Sequence, residues 1–308
     1  MVEEFSRRIK RYSMTNYLFL DNWVLSNYTK GEKLHSLSKF IQDNNYTIAI
    51  DSLSFVELYN PNWEAAGEDD RGIRAVNLLA QHPLVIVDPS RIWILELESF
   101  PSKVETLPTE LNLDQLPFYH RAKTLLMFLR RDNIFVEMGK DITTWSANYD
   151  RLKREWPDNV NAIIDHALTI GYLKKENGVF INLSNLKEKF LRSLDARHLA
   201  EYFDNHNDHN LKIAMSDMAA GASNNLLSIR ASSLYFWFSY IDIDKSFLPK
   251  RKGSDIGDYY QLSLLPYCTM FTTDITMSRL AQRVIREMNL ASRVADYKMF
   301  QDEINKYA

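Results

Sequence analysis

The sequence predicts an α/β protein with a central, mostly parallel sheet flanked by helices and a large, mainly helical insertion. Three observations predict it. Over residues 14–100, short apolar runs alternate with helical patterns, as in a parallel sheet covered on both faces. Between about 105 and 245 the periodicity is mostly helical. Beyond 250 the alternation of strand and helix returns.

Residues 16–20 read as a short buried strand. Asp21-Asn22-Trp23 then opens a helical pattern through about 44, with Leu34, Leu37, Phe40 and Ile41 at helical spacing. Asp43-Asn44-Asn45 is a turn signal and 46–50 a second strand. Asp51-Ser52 suits the N-cap of a helix carrying Phe55, Val56, Glu57 and Leu58, which Pro61 breaks. Arg71–Gln81 puts Ile73, Val76, Leu79 and Ala80 on one helix face. Leu84-Val85-Ile86-Val87 is a third strand, ended by Asp88-Pro89. In the middle, helices are expected over 118–131, 148–153, 158–171, 184–204, 209–219 and 226–241, interrupted by the strand-like run Gly178–Asn182. Ser254 can cap a helix through about Leu265, followed by a strand over 269–273 and a helix over 276–288. The simplest organisation is one discontinuous α/β domain, 14–100 plus 250–308, with a helical insertion or subdomain over 105–248; a separate all-α domain in the middle is the alternative.

Composition narrows the class. The 308 residues suit one large domain with an insertion or two ordinary ones. Hydrophobic residues at 45% supply a core, and a net charge of −3 excludes a simple basic nucleic-acid coat. Metal ions can supply local positive charge, so a nucleic-acid enzyme stays open. Cys268 is the only cysteine, which rules out an internal disulfide or a multi-cysteine zinc site and fits a reducing cytoplasm. Met1–Arg11 carries no apolar signal-type run, and no uncharged apolar stretch reaches the roughly 18 residues of a spanning helix, so neither export nor membrane insertion is expected. There is no Walker A loop, no Gly-x-Gly-x-x-Gly run and no nucleophile elbow.

The chemistry-bearing feature is a set of acids at strand ends. Asp21 follows Tyr17-Leu18-Phe19-Leu20, Glu57 comes just past Thr47–Ile50, and Asp274 follows Met270-Phe271-Thr272-Thr273. Asp255 and Asp258 precede that last run by one helix. Strand ends of an open α/β sheet converge on one crevice, and carboxylates gathered there repel one another unless a cation joins them. Singly, each has an ordinary reading: Asp21 and Asp274 as helix caps, Asp255 and Asp258 as first-turn acids suited to the helix dipole, Glu57 as a solvated helix residue. Asp88 also ends a strand run, but Pro89 makes it read as a turn.

Four motifs carry a family resemblance: Tyr-Leu-Phe-Leu-Asp21-Asn, Ile-Asp-Ser-Leu-Ser-Phe-Val-Glu57-Leu, Ser-Asp255-Ile-Gly-Asp258 and Leu-Pro-Tyr-Cys-Thr-Met-Phe-Thr-Thr-Asp274. In order and context they resemble the acidic motifs of PIN-like nuclease domains. The stretch from Leu265-Pro266-Tyr267 to Asp274 is similar to longer bacterial PIN-like proteins, and the resemblance covers roughly 14–100 and 250–295. It implies a metal-dependent nuclease that prefers RNA over DNA, with Mg²⁺ or Mn²⁺ held by oxygen ligands. By position, Asp21 would bridge the metal. Asp274 and one of Asp255 or Asp258 would complete the shell, and Glu57 would join directly or through water. Thr273 would orient water or phosphate. The same resemblance suggests a toxin or defence effector, with an antitoxin-like regulatory protein or a homo-oligomer as partners.

Lys250-Arg251-Lys252 and Arg279 are candidate phosphate contacts, against the alternative of a solvated loop and a surface arginine. His120, Arg121, Lys123, Arg130 and Arg131 give one helix a basic side. Asp204–His209 reads as a polar turn, the run Ser233–Phe238 as a buried helix rather than a stacking platform, and Cys268 as core.

Overall fold

Period-two alternation of buried side chains builds the centre of the molecule. In the computed structural model, which describes residues 15–29, 31–52, 54, 70–99, 102–109, 113, 116–129, 142–203, 226–242 and 255–308, five strands form one sheet. They are β1 (Tyr17–Phe19), β2 (Thr47–Asp51), β3 (Leu84–Val87), β6 (Cys268–Thr272) and β7 (Arg293–Ala295), in the order β3-β2-β1-β6-β7. Every pairing is parallel. A separate antiparallel hairpin joins β4 (Lys175–Glu176) to β5 (Val179–Phe180), turning at Asn177 and Gly178, both at positive φ. The strand-like run Gly178–Asn182 thus supplies one strand of this hairpin, Val179–Phe180.

Tyr17, Phe19, Ala49, Val87, Phe271 and Val294 face one layer of helices, with Phe19 and Phe271 stacked at 4.5 Å. Leu18, Leu20, Ile48, Ile50, Leu84, Ile86, Met270 and Ala295 face the other. Burial on both faces explains why these strands read as continuous apolar runs. On the second face lie α1 (Asn22–Asn27), α2 (Gly31–Asp43) and α3 (Asp70–Gln81). The helical pattern expected through 44 is two helices: α1 ends at Asn27, and α2 begins at Gly31, whose φ of +55° favours glycine.

The first face takes α4 (Pro89–Ser99), whose Ile92, Trp93 and Leu97 are buried. This helix was hidden in the sequence behind Asp88-Pro89, since proline is well placed at a first helical position. α5 (Phe118–Leu129) returns to the second face through Leu125. α6 (Ile142–Thr169) is one helix where two were expected, with Pro157 inside it. Burial of Trp156, Val160 and Ile164 along its length offsets the roughly 3 kcal/mol that an interior proline costs. α7 (Leu183–Phe203) follows, then α8 (Leu227–Phe236), which runs into a π turn over Trp237–Ile241. Phe236, Trp237 and Phe238 are all buried, so the aromatic run is core.

Both the middle segment and the chain ends thus feed the same two layers. The C-terminal part adds α9 (Asp255–Gln261), a 3₁₀ turn over Leu262–Tyr267, α10 (Ile275–Met288) and α11 (Tyr297–Ile304). β7 and α11 had no signal strong enough to read, because the strand is only three residues long. Among the described residues no helix is long and apolar enough to cross a membrane. The expected helix over 209–219 lies outside the described residues.

Candidate functional site

Each strand of the five-stranded sheet runs into an aspartate: Asp21, Asp51, Asp88, Asp274 and Asp296. Capping explains most of the pattern. Asp21 Oδ1 accepts from the Asn22 amide at 2.6 Å. Asp274 Oδ1 accepts from Thr276 and Met277 at 2.7 and 2.8 Å, and Asp296 Oδ1 accepts from Met299 at 3.0 Å. A short carboxylate at this position satisfies amides that a helix start leaves unpaired. Capping by itself is therefore no mark of function; position in the sheet decides which acids can act together.

β1 and β6 are the two strands at which chain order reverses direction across the sheet, and crevices at such points bind ligands in α/β folds. Asp21 leaves one of them and Asp274 the other. The register pairs Phe19 with Ala49 on one side and with Phe271 on the other, so Asp21 is level with Asp51 and Thr273. The Thr272 hydroxyl donates to the Phe19 carbonyl at 2.9 Å and accepts from the Asp21 amide at 3.0 Å, tying the two strand ends together. Thr273, the residue expected to offer a hydroxyl, is buried, and its amide donates to the Ala295 carbonyl. Asp274 is exposed, and its Oδ2 makes no hydrogen bond among the described residues.

The helix bearing the third acid is tied to the same end of the sheet. Asp51 is fully buried and accepts from the Ser54 amide at 2.5 Å and the Ser54 hydroxyl at 2.6 Å. Gln261 of α9 donates to that hydroxyl at 2.9 Å. Asp258 lies three residues before Gln261, on a shared face. Asp255 is turned toward the helical layer: the Tyr240 hydroxyl donates to its Oδ2 at 3.2 Å, and Trp156 donates to Tyr240 at 3.0 Å. Burial, Asp258 and Asp255 together push the Tyr235 phenol well above its ordinary range. Gly257 lets α6 lie this close, since a Cβ there would stand 2.5 Å from the Tyr149 hydroxyl.

Of the residues singled out in the sequence, the fold therefore brings Asp21 and Asp274 to adjoining strand ends and anchors the Asp258 helix beside them. Arg279 is exposed one turn into α10. Glu57 and Lys250, Arg251 and Lys252 lie outside the described residues. Among the described residues, no group of three or more His, Cys, Asp or Glu side chains is arranged to hold a metal ion. No family model matches the chain, and neither does any curated protein or solved structure. The likeness to PIN-like nucleases thus rests on the sequence motifs alone.

Sequence reasoning missed a second buried acid. Glu96, 1% exposed, accepts from the Ser228 amide at 2.8 Å, from the Ser228 hydroxyl at 2.6 Å and from the Tyr267 hydroxyl. It caps α8 from another helix, doing what Leu226 cannot. Tyr267 belongs to the Leu-Pro-Tyr element, so that motif serves at least in part to hold this network. A lone glutamate within Ile92-Trp-Ile-Leu-Glu96-Leu97 was the signal available. Burial pushes its carboxyl up to about 7, against the hydrogen bonds from Ser228, Tyr267 and Ile229. The folded chain then holds a proton that the unfolded chain has released between pH 4.5 and about 7, so this group's stabilisation is full below that window and is lost as pH rises through it. Urea unfolding at both ends of the window should show the parent losing on the order of 3 kcal/mol relative to Glu96→Gln. Parallel pH profiles for the two would show that folding does not raise the Glu96 carboxyl.

Proposed function

We propose that the chain is a Mg²⁺- or Mn²⁺-dependent endoribonuclease of the PIN-like kind. The observation that carries the reading is that Asp21 and Asp274 leave the two adjoining strands of the switch point, with the Asp258 helix anchored to the next strand end through Gln261, Ser54 and Asp51. The donor set consists of carboxylate oxygens, which fit a small, hard divalent cation. Asp21 and Asp274 would hold it from the sheet and Asp258 from its helix, with Glu57 joining them as the sequence motif implies. Between Asp258 and Asp255, alignment of the motif with the Leu265-Pro266-Tyr267 element favours Asp258. A bound cation supplies an acidified water and offsets charge on the leaving oxygen. Asp274 Oδ2 faces the task with its partner oxygen already fixed by two amides, so little ordering remains to be done on binding.

Cleavage of an RNA with single-stranded segments is expected with Mg²⁺ or Mn²⁺ and is expected to stop with EDTA, read on a denaturing gel. A parallel panel of single-stranded and flapped DNA separates the ribonuclease from a structure-specific DNA nuclease; cleavage of flapped DNA alone would reverse the substrate assignment. One observation favours a second reading, a PIN-like module that binds RNA or a protein without cutting it: the described residues hold no three-acid group arranged for a metal. RNA binding without cleavage under every metal condition would establish that reading. A toxin or defence role, with an antitoxin-like partner, belongs to the first.

A further inference from the structure

The C-terminal end of the sheet carries an aromatic group that the metal chemistry does not use. α11 buries Phe300 and Ile304 against the second layer, but its first residue, Tyr297, stands beyond the sheet's end and is 45% exposed. Its ring lies 5.3 Å from that of Trp23 and 6.5 Å from that of Tyr28. Trp23 and Tyr28 are in turn held edge-on by Phe300 at 6.0 and 5.5 Å. Tyr297 is thus an exposed ring on a rigid aromatic footing.

Its place matters more than its exposure. Thr272 pairs with Ala295 in the β6–β7 register, so Tyr297 is level with Asp274. Trp23, its nearest ring partner, follows Asp21 by two residues. Lys298 and Met299, which follow Tyr297 on α11, are exposed as well, and so is Ile275, which follows Asp274. An exposed ring next to a lysine suits a flat π-face attached to a phosphate chain, and aromatic stacking with backbone neutralisation is how proteins hold unpaired bases. Bases inside a duplex are already stacked and would have to be flipped out first.

We propose that Tyr297, supported by Trp23 and Tyr28, is a stacking ledge for an unpaired base of a single-stranded RNA whose backbone lies along Asp21 and Asp274. The ledge sets the substrate class of the site: single-stranded segments, entered from the β7 side, with little demand on base identity because every base has a π-face. This rests on the nuclease reading for the placement of the backbone, but not for the binding itself.

The test separates the two. Fluorescence anisotropy of a short labelled single-stranded RNA, measured in EDTA so that nothing is cut, gives binding alone. Tyr297→Ala is expected to weaken it between about 5- and 150-fold, while Tyr297→Phe keeps it within about 2-fold of the parent. A fully paired RNA hairpin with a short closed loop should bind less tightly than the single strand, and Tyr297→Ala should not change its affinity. Tyr297→Ala also gives up the ring contacts with Trp23 and Tyr28, so thermal melting checks that the variant remains folded at the temperature of the binding measurement. If the variant binds single strands as the parent does, or if the parent binds none, the ledge is overturned. If Tyr297→Ala weakens binding but the parent cuts no RNA with Mg²⁺ or Mn²⁺, the ledge stands and the nuclease reading falls. If the parent cuts and Tyr297→Ala leaves both binding and KM unchanged, the reverse holds.

Discussion

Asp21→Asn and Asp274→Asn are each expected to lower Mn²⁺-dependent RNA cleavage by at least about 100-fold while leaving the fold intact. The choice of asparagine is what makes the result informative. Both aspartates cap helices, Asp21 at the Asn22 amide and Asp274 at the Thr276 and Met277 amides. Asparagine caps a helix about as well as aspartate, whereas alanine forfeits about 1 kcal/mol. Asn therefore preserves the local structure and removes only the negative charge that a cation needs. Asp296→Asn supplies a control for capping alone, since Asp296 caps α11 after the edge strand. Equal activity of all three variants and the parent would mean that these acids are caps and nothing more. Melting temperatures within a degree or two, set against a selective loss at 21 and 274, would separate metal binding from folding.

The largest expected effect on stability lies far from that crevice. Asp195→Ala is expected to destabilise the chain by roughly 3–5 kcal/mol, read as a fall in the urea midpoint at unchanged slope. Asp195, on α7, is wholly buried and meets Arg230 of α8 at 3.1 Å. Arg230 is itself mostly enclosed and turns its other nitrogen to Glu188, which is exposed. Burial pushes the Asp195 carboxyl up, and Arg230 and Ser233 pull it back. Removing the aspartate strands a guanidinium between two helices, and the solvent-screened Glu188 compensates little. Replacing the pair together, Asp195→Leu with Arg230→Met, should recover most of the loss, because the expense lies in the unpaired charge rather than in the missing attraction. A single variant within about 1 kcal/mol of the parent would show that water reaches Arg230.

The parts of the site legible in the sequence were those set by local rules. An apolar run followed by aspartate and then a helical pattern is a strand feeding a capped helix, and Asp21 and Asp274 were read that way from a few residues each. The Asp255 helix was legible from its acids and from the core pattern behind them. Asp51 was legible only as a cap. Its burial, and its tie through Ser54 to Gln261, join residues more than two hundred positions apart. Glu96 went unread for the same reason: its partners Ser228 and Tyr267 are brought to it by two separate elements. Pro157 misled in the opposite direction, since a breaker reads as a helix end unless the burial along the rest of α6 is known.

What the sequence determined by itself was the α/β class and which strand ends carry acids, because apolar periodicity and capping act within a few residues of chain. Which acids stand together was decided only by the sheet order β3-β2-β1-β6-β7. That order sets β1, from the start of the chain, against β6, from beyond the helical segment, so that Phe19 stacks on Phe271 and both faces of the sheet are covered. Burial of apolar surface is non-directional and cares nothing for sequence distance, so it could bring Asp21 to Asp274 and Trp23 to Tyr297 without leaving a local trace of either meeting.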